Sequence, residues 1–395
     1  MPSSRLSLHP ASRAAGLREV APAPPAAVLL LKSGAHDYHS FAAEAKQIAM
    51  LTIDRSYLVD VLVQLLETPS PSGHTAEVMA RLEPRFEALG LAPRRTNKGA
   101  LLAEWAGVSK TTPRGLVAHV DTLGAMVREI KPSGRLRLAQ VGSYAWNTIE
   151  GEGATVFCYN GRRLRGTVLC TQASGHIFGD ASEELRRSAE TLEVRLDEVA
   201  HSPAQTRALG VEVGDLVALD PRPEVSESGY IRSRHLDDKA GVACILAALK
   251  ALREAGATPA QRTTIMISNY EEVSHGAVAG LPPDLAELVA VDMAVVGEGQ
   301  ASDEHHVTVC TLDSGGPYDP ALTSRLRHLG ETLNLPLRMD TYPHYRSDGQ
   351  HVWRTPLDVR VALLGPGIDA SHNLERTHLD ALVATSELLI EYLRS

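Results

Sequence analysis

The sequence predicts an α/β fold, a mostly parallel or mixed sheet flanked by helices, with a small β domain inserted into it. Three observations lead there. Apolar runs of strand length alternate with stretches of helical periodicity. Between about residues 125 and 233 this alternation gives way to Gly-rich sequence with short alternating segments. A chain of 395 residues, 44% hydrophobic and 22% charged, is long enough for one large domain or two unequal ones.

The first fifty residues differ in character from the rest. Arg5, Arg13 and Arg18 precede a Pro/Ala stretch from Ala21 to Ala27 and an apolar run from Val28 to Leu31. A signal peptide needs an apolar core of about 7 to 15 residues and a small-residue cleavage site, so residues 1–50 are expected to be a disordered extension, with targeting as the lesser reading. From Ile53 to Leu66 and from Ala76 to Leu89 apolar residues recur at helical spacing, separated by the Pro-Ser-Pro-Ser-Gly turn at Pro69 to Gly73. Buried strands are expected at Leu116 to Val120, Thr264 to Ser268, Leu288 to Val296 and Val359 to Leu364. A helix from Ala240 to Ala255 should end at Gly256. The insertion shows strand-like alternation at Arg135 to Val141, Thr155 to Tyr159, Leu192 to Leu196 and Leu216 to Leu219. The expected organisation is therefore an α/β domain from 51–124 and 234–395, with a β domain at 125–233.

Composition excludes several function classes. A formal net charge of -9 argues against a surface built to neutralise phosphates, so nucleic acid is not an expected partner. No apolar run approaches the roughly 20 residues that span a bilayer, and no membrane partner is expected. Cys158, Cys170, Cys244 and Cys310 lie far apart and form no C-x-x-C pair, so neither a disulfide framework nor a thiolate zinc site is indicated and a cytoplasmic location fits. The pair Gly151 and Gly153 lacks the strand-turn-helix context that nucleotide binding requires.

The residues that carry chemistry stand where strands end. In Gly-Leu-Val-Ala-His119-Val-Asp121 a histidine leaves a buried strand, and a carboxylate two residues on is placed to accept the imidazole's second N–H. Alone, H-x-D is also what a hydrogen-bonded structural histidine looks like. Asp237-Asp238 opens a helix, where capping and the macrodipole explain one aspartate and leave the second as spare capacity for cations. Glu271-Glu272 follows a strand, so one carboxylate can bind a metal while its neighbour faces water. Asp292 resists a bland account. It interrupts the apolar run Leu288-Val-Ala-Val-Asp-Met-Ala-Val-Val, where an ionised carboxylate requires a metal or a buried Arg. His372 lies in a Gly-rich loop after another apolar strand, and Glu375 is read as the start of the last helix. The acidic, His-containing stretch Glu298 to His306 is read as a solvated loop. Two histidines and three carboxylates, with one carboxylate to spare, suit two divalent ions with nitrogen and oxygen ligands, zinc ahead of cobalt or manganese.

Taken together, these motifs resemble metallopeptidase family forty-two, the glutamyl, deblocking and tetrahedral aminopeptidases of clan MH, in family order from about Ile53 to Leu393. The resemblance implies a phosphorylase/hydrolase-like zinc peptidase core with an inserted β-barrel used in oligomerisation. It implies His119 and Glu272 as terminal ligands, Asp237 as the bridging carboxylate, Asp292 and His372 as the remaining ligands, Glu271 as general base and Asp121 as its partner at His119. Four positions depart from the common pattern: Tyr270, Ser274, His275 and Asn373. With Leu312 to Asp319 and Tyr345 to Asp348, they look like the subgroup associated with the osmoprotectant N-acetylglutaminylglutamine amide. The expectation is a homo-oligomeric aminopeptidase acting on short peptides or peptide amides. Two readings compete with it: an amidase or deacylase for a small N-acylated peptide amide, and a non-catalytic assembly or binding protein.

Overall fold

The computed structural model describes residues 51–395, so the expected N-terminal extension lies outside the described residues. Two helices open the fold, Arg55–Leu66 and Ala76–Ala88. The first starts where the Asp54 carboxylate accepts the Tyr57 N–H at 3.0 Å, and it buries Leu58, Val61, Leu62, Leu65 and Leu66, the i, i+3, i+4, i+7 stripe of its sequence. The helix Leu236–Glu254 is apolar nearly all round and buried along most of its length. It lies under the sheet, packed against the first helix and the C-terminal helix Leu379–Arg394. Gly256, at φ 64°, follows its end as expected.

The main sheet has thirteen strands among the described residues. At its centre, strands Gln261–Ser268, Ser109–His119, Glu287–Val291 and Arg360–Asp369 run parallel to their neighbours in that order. Leu101–Trp105 pairs antiparallel on one side and Val307–Asp313 on the other, which makes the sheet mixed. Their buried, β-branched sequences are those of strands covered on both faces. Parallel pairing has one consequence for chemistry: the segments that leave these strands at their C-terminal ends gather on one edge. The register sets Ser268 beside His119 and Val291 beside Leu364.

The run Leu288 to Val296, expected as one strand, is two: Glu287–Val291 and Ala294–Val296. Asp292 breaks it. Its N–H still donates to the Leu364 carbonyl at 2.9 Å, but its Oδ1 takes the N–H of Met293 at 2.7 Å, and pairing resumes with Ala294 beside Gly367. A short polar side chain has offered the backbone an alternative to the ladder.

The middle of the chain forms a closed antiparallel barrel of six strands: Gly124–Ile130, Leu136–Val141, Leu192–Leu196, Arg163–Cys170, Gly153–Phe157 and Leu216–Leu219. Closure leaves no free edge. Alternate residues such as Leu136 and Leu138, Ala154 and Val156, and Val217 and Leu219 fill its interior. Four cysteines are buried and unbonded. Among the described residues no helix is long and apolar enough to cross a membrane.

Candidate metal centre

All the residues singled out at strand ends meet at one edge of the sheet. His119 closes its strand and is 2% exposed. Its Nε2 lies 3.0 Å from Asp237 Oδ1 and 3.7 Å from Glu271 Oε2, while its Nδ1 lies 3.0 Å from the carbonyl of Asp121 and 3.6 Å from that residue's carboxylate. Nδ1 is thereby placed to donate to the Asp121 carbonyl, which leaves Nε2 facing the carboxylates. The Asp121 carboxylate has other work as well: Oδ1 accepts the Glu271 N–H at 3.2 Å and Oδ2 accepts from the Ser72 hydroxyl.

Asp237 and Asp238 diverge. Asp237 points between the two histidines, its Oδ2 3.3 Å from His372 Nε2. Asp238 turns inward, where its Oδ2 accepts the His119 N–H at 3.2 Å and its Oδ1 accepts the Gly241 N–H at 3.1 Å. The second aspartate thus carries the capping role and the first faces the site. Glu271 and Glu272 also separate. Glu271 faces His119, and behind it His351 Nδ1 lies 3.8 Å from its Oε1; Glu272 lies 3.6 Å from His372 Nε2.

Ligand atoms of His119, Asp237 and Asp292 fall within 4.8 Å of one another, and so do those of Asp237, Glu272 and His372. Asp237 belongs to both triads. A third such group, His305, His378 and Asp380, is accounted for without an ion: His378 Nε2 meets the Ser228 carbonyl at 2.8 Å and its Nδ1 accepts the Asp380 N–H at 3.1 Å.

Two features escaped sequence reasoning. Glu375 does not start the last helix, which begins at Leu379; it opens the short strand Glu375–His378. Its buried carboxylate accepts the His372 N–H at 3.0 Å and the Asp237 N–H at 3.1 Å, tying together two segments of the site. The second is the pair Asp348 and His351, buried behind Glu271 with Asp348 Oδ1 3.4 Å from His351 Nδ1. A His three residues after an Asp is the only local signal, and it is a weak one.

The electrostatics fit cations. Burial, opposed by His372 and reinforced by Asp237, pushes Glu272 up to about 8. Burial and then the Asp237 charge push Asp292 up to about 7 and Glu375 up to about 8. Burial pulls the His119 imidazolium down, but the Asp121 and Asp237 carboxylates overcome it and hold the ring well above its ordinary value. Among the described residues no Lys or Arg pairs with Asp237, Glu271, Glu272 or Asp292; the basic side chains that approach the first three are histidines. So many acids buried without a fixed cation match the donor chemistry of hard or borderline divalent ions. Backbone strain concentrates here too. Of the seven described non-glycine residues at positive φ, His235, Tyr270, Ser274, Ala370 and His372 flank this edge.

A cavity of about 670 Å³ opens onto the cluster, lined by Asp237, Glu271, Glu272, Asp292 and His372 on one side and by Met293, Val295, Tyr342 and Tyr345 on another. Of the four departures from the common pattern, Ser274 lines this cavity; Tyr270 and His275 stack on each other at 4.9 Å.

A family model described as M42 glutamyl aminopeptidase matches residues 99–388. The chain belongs to that family. This M42 member is 41% identical over 337 residues to the aminopeptidase-named protein YhfE of Bacillus subtilis (strain 168), covering 85% of this chain and 97% of that one. It is 26% identical to the glutamyl aminopeptidase of Lactococcus lactis subsp. cremoris (strain MG1363) over 199 residues, half of this chain and 55% of the other. In fold, it superimposes on an aminopeptidase of the archaeon Desulfurococcus kamchatkensis with a TM-score of 0.77 at 18% identity, covering 86% of this chain and 95% of that one. The TET1 peptidase of Pyrococcus horikoshii, described as assembling into a tetrahedron or a large octahedral shell, gives 0.74 at 18% identity, over 85% and 99% of the two chains. The M42 chain is accordingly a metallopeptidase of aminopeptidase type, a hydrolase of peptide bonds.

Proposed function

We propose that the chain is a dinuclear aminopeptidase of short peptides, with His119, Asp237 and Asp292 as ligands to one divalent ion and Asp237, Glu272 and His372 as ligands to the other. The observation that carries this reading is the pair of donor triads sharing Asp237, with Glu271 beside them and aimed at the same space. Zinc suits the mixed imidazole and carboxylate set best, with cobalt or manganese as alternatives. When bound, such a pair polarises an amide carbonyl and lowers the pKa of water from ~15.7 towards ~7. The residues of the chain do the rest. Asp121 orients His119 and, through its Oδ1, fixes the Glu271 backbone. Glu271 takes a proton from the attacking water and delivers it to the leaving amine. The cavity wall of Met293, Val295 and Tyr342 receives the N-terminal side chain. The M42 fold with its barrel, and the shell-forming relative of the same fold, support a homo-oligomer.

The test is a panel of aminoacyl amides and free and N-acetylated dipeptide amides, offered to protein loaded with zinc, cobalt or manganese, with metal content measured alongside. Turnover of the free-amine substrates and its loss in Glu271→Gln, with both metals retained, is expected. Preference for the N-acetylated member would replace this reading with the amidase one, and two bound metals with no turnover anywhere on the panel would overturn it.

A further inference from the structure

His351 sits behind Glu271 on the short helix Asp348–Val352 and is 1% exposed. Its Nδ1 faces two carboxylate oxygens, Asp348 Oδ1 at 3.4 Å and Glu271 Oε1 at 3.8 Å. Its Nε2 is buried and has no hydrogen-bond partner among the described residues. With two acceptors before it, Nδ1 is the nitrogen that carries a proton. A buried ring that leaves one nitrogen idle is kept for the other. Asp348 has little need of that proton. Its Oδ1 already accepts the Ala277 N–H at 2.6 Å, and its Oδ2 accepts from the Ser268 hydroxyl. A Cβ on Gly276 would run into the same carboxylate, so the loop after the two glutamates closes tightly on Asp348. Glu271 is the better use for the Nδ1 proton.

The backbone at Glu271 is fastened, but its side chain is not. Its N–H donates to Asp121 Oδ1 at 3.2 Å, and Tyr270 and Ser274 bracket the turn at φ 66° and 69°. The two carboxylate oxygens have different neighbours: His351 Nδ1 at Oε1 and, 3.7 Å from Oε2, His119 Nε2. Both separations are just longer than a hydrogen bond, as catalytic contacts often are before substrate arrives. We propose that His351 is a positioning residue for the general base: its Nδ1–H holds Oε1 of Glu271 and so leaves Oε2, on the His119 side, to take the proton of the attacking water. The proposal rests on the peptidase reading of this site. In the step, water's oxygen bonds to the carbonyl carbon, its proton goes to Oε2, and the carbonyl π pair moves onto oxygen. The pair then returns, the C–N bond breaks with its electrons on nitrogen, and Oε2 passes the proton to that nitrogen. His351 keeps its own proton throughout. A carboxylate on three rotatable bonds samples many positions, and one anchored oxygen confines the other to the space where attack occurs.

The test compares His351→Asn, whose amide falls near the place of Nδ1 and keeps a donor there, with His351→Gln, whose amide falls near the place of Nε2. On metal-loaded protein, with an aminoacyl amide as substrate, Asn is expected to stay within a few-fold of the wild-type kcat and Gln to lose about 10–100-fold. KM should hold within a few-fold and metal content should be unchanged in both. Equal kcat in the two variants would overturn the proposal, as would a loss that follows metal content. Should Gln fail to fold, His351→Leu, which has no donor, replaces it in the comparison. A crystal structure of the metal-loaded protein reads the contact without turnover. Oε1 of Glu271 is expected within hydrogen-bond distance of His351 Nδ1, and a Glu271 side chain turned away from His351 would sink the idea. Glu271→Gln run in parallel keeps the two readings apart: unchanged turnover there removes the general base, whereas the crystal contact and the comparison of Asn with Gln decide His351.

Discussion

Glu375 shows how a single carboxylate holds a site together from outside it. One oxygen receives the His372 N–H and the other the Asp237 N–H, so the loop of His372 and the start of the central helix share one anchor. Replacing it with Gln sets an amide N–H₂ against one of those two donors. Glu375→Gln should therefore weaken metal affinity by about 10–100-fold, the usual cost of losing a ligand's support, with the loss concentrated in the half of the site that contains His372. Metal titration by calorimetry checks this, and unchanged affinity would show that the anchor is dispensable. Legibility in the sequence followed locality. Asp292 was legible because its own neighbours make a charge there intolerable. Glu375 was not, because one partner lies 138 positions away and its neighbours look like any helix entry. Asp238 was ambiguous for the same reason: its acceptor role depends on His119, 119 positions earlier.

At the level of elements, the broken strand at Asp292 depends on how closely its neighbour approaches. A Cβ placed on Gly365 would run into the Asp292 carbonyl, so the two backbones meet only because position 365 has no side chain. Gly365→Ala should cost about 1–3 kcal/mol in denaturant unfolding, the range for forcing atoms into a packed interior, and should lower metal affinity as Asp292 shifts. Stability lost without any change in metal binding would separate the packing from the site. The strands themselves were legible as apolar runs, but the break was not, since periodicity sees residue types and not which neighbour's carbonyl they meet. In the barrel, Glu193 is buried, which raises its pKa, but Lys131 and Arg135 donate to its carboxylate and hold it below its ordinary value. A depressed folded-state value stabilises the protein above the unfolded value of 4.5, and that contribution is lost as pH falls through the folded value. Glu193→Gln should consequently lower the melting temperature at pH 7 and much less at pH 3. An equal deficit at both would assign its cost to packing and not to charge.

For the whole molecule, order among the strands decides what the sequence could only list. Each proposed ligand was visible by its place, after or within an apolar run or, for Asp237, at a helix start; that Ser109–His119 lies between Gln261–Ser268 and Glu287–Val291, with Arg360–Asp369 next, is a property of the sheet and not of any one segment. Acids gathered in this way destabilise the folded chain until cations join them, so chelation should lower the melting temperature and added zinc should restore it. An ion at one hundred times its dissociation constant contributes about 2.7 kcal/mol. A melting temperature indifferent to chelator and to metal would contradict the metal centre. The sheet also sets a schedule for the making of the enzyme. Asp292 and His372 are eighty positions apart, so a ribosome finishes the residues of the triad His119, Asp237 and Asp292 well before it has produced those of the second, and the strand Arg360–Asp369, which lies between Glu287–Val291 and Val307–Asp313, is made just before His372. On the proposed two-metal reading, a peptidase made in this order stays unarmed through most of its own synthesis, because its second set of donors is complete only once His372 has been added.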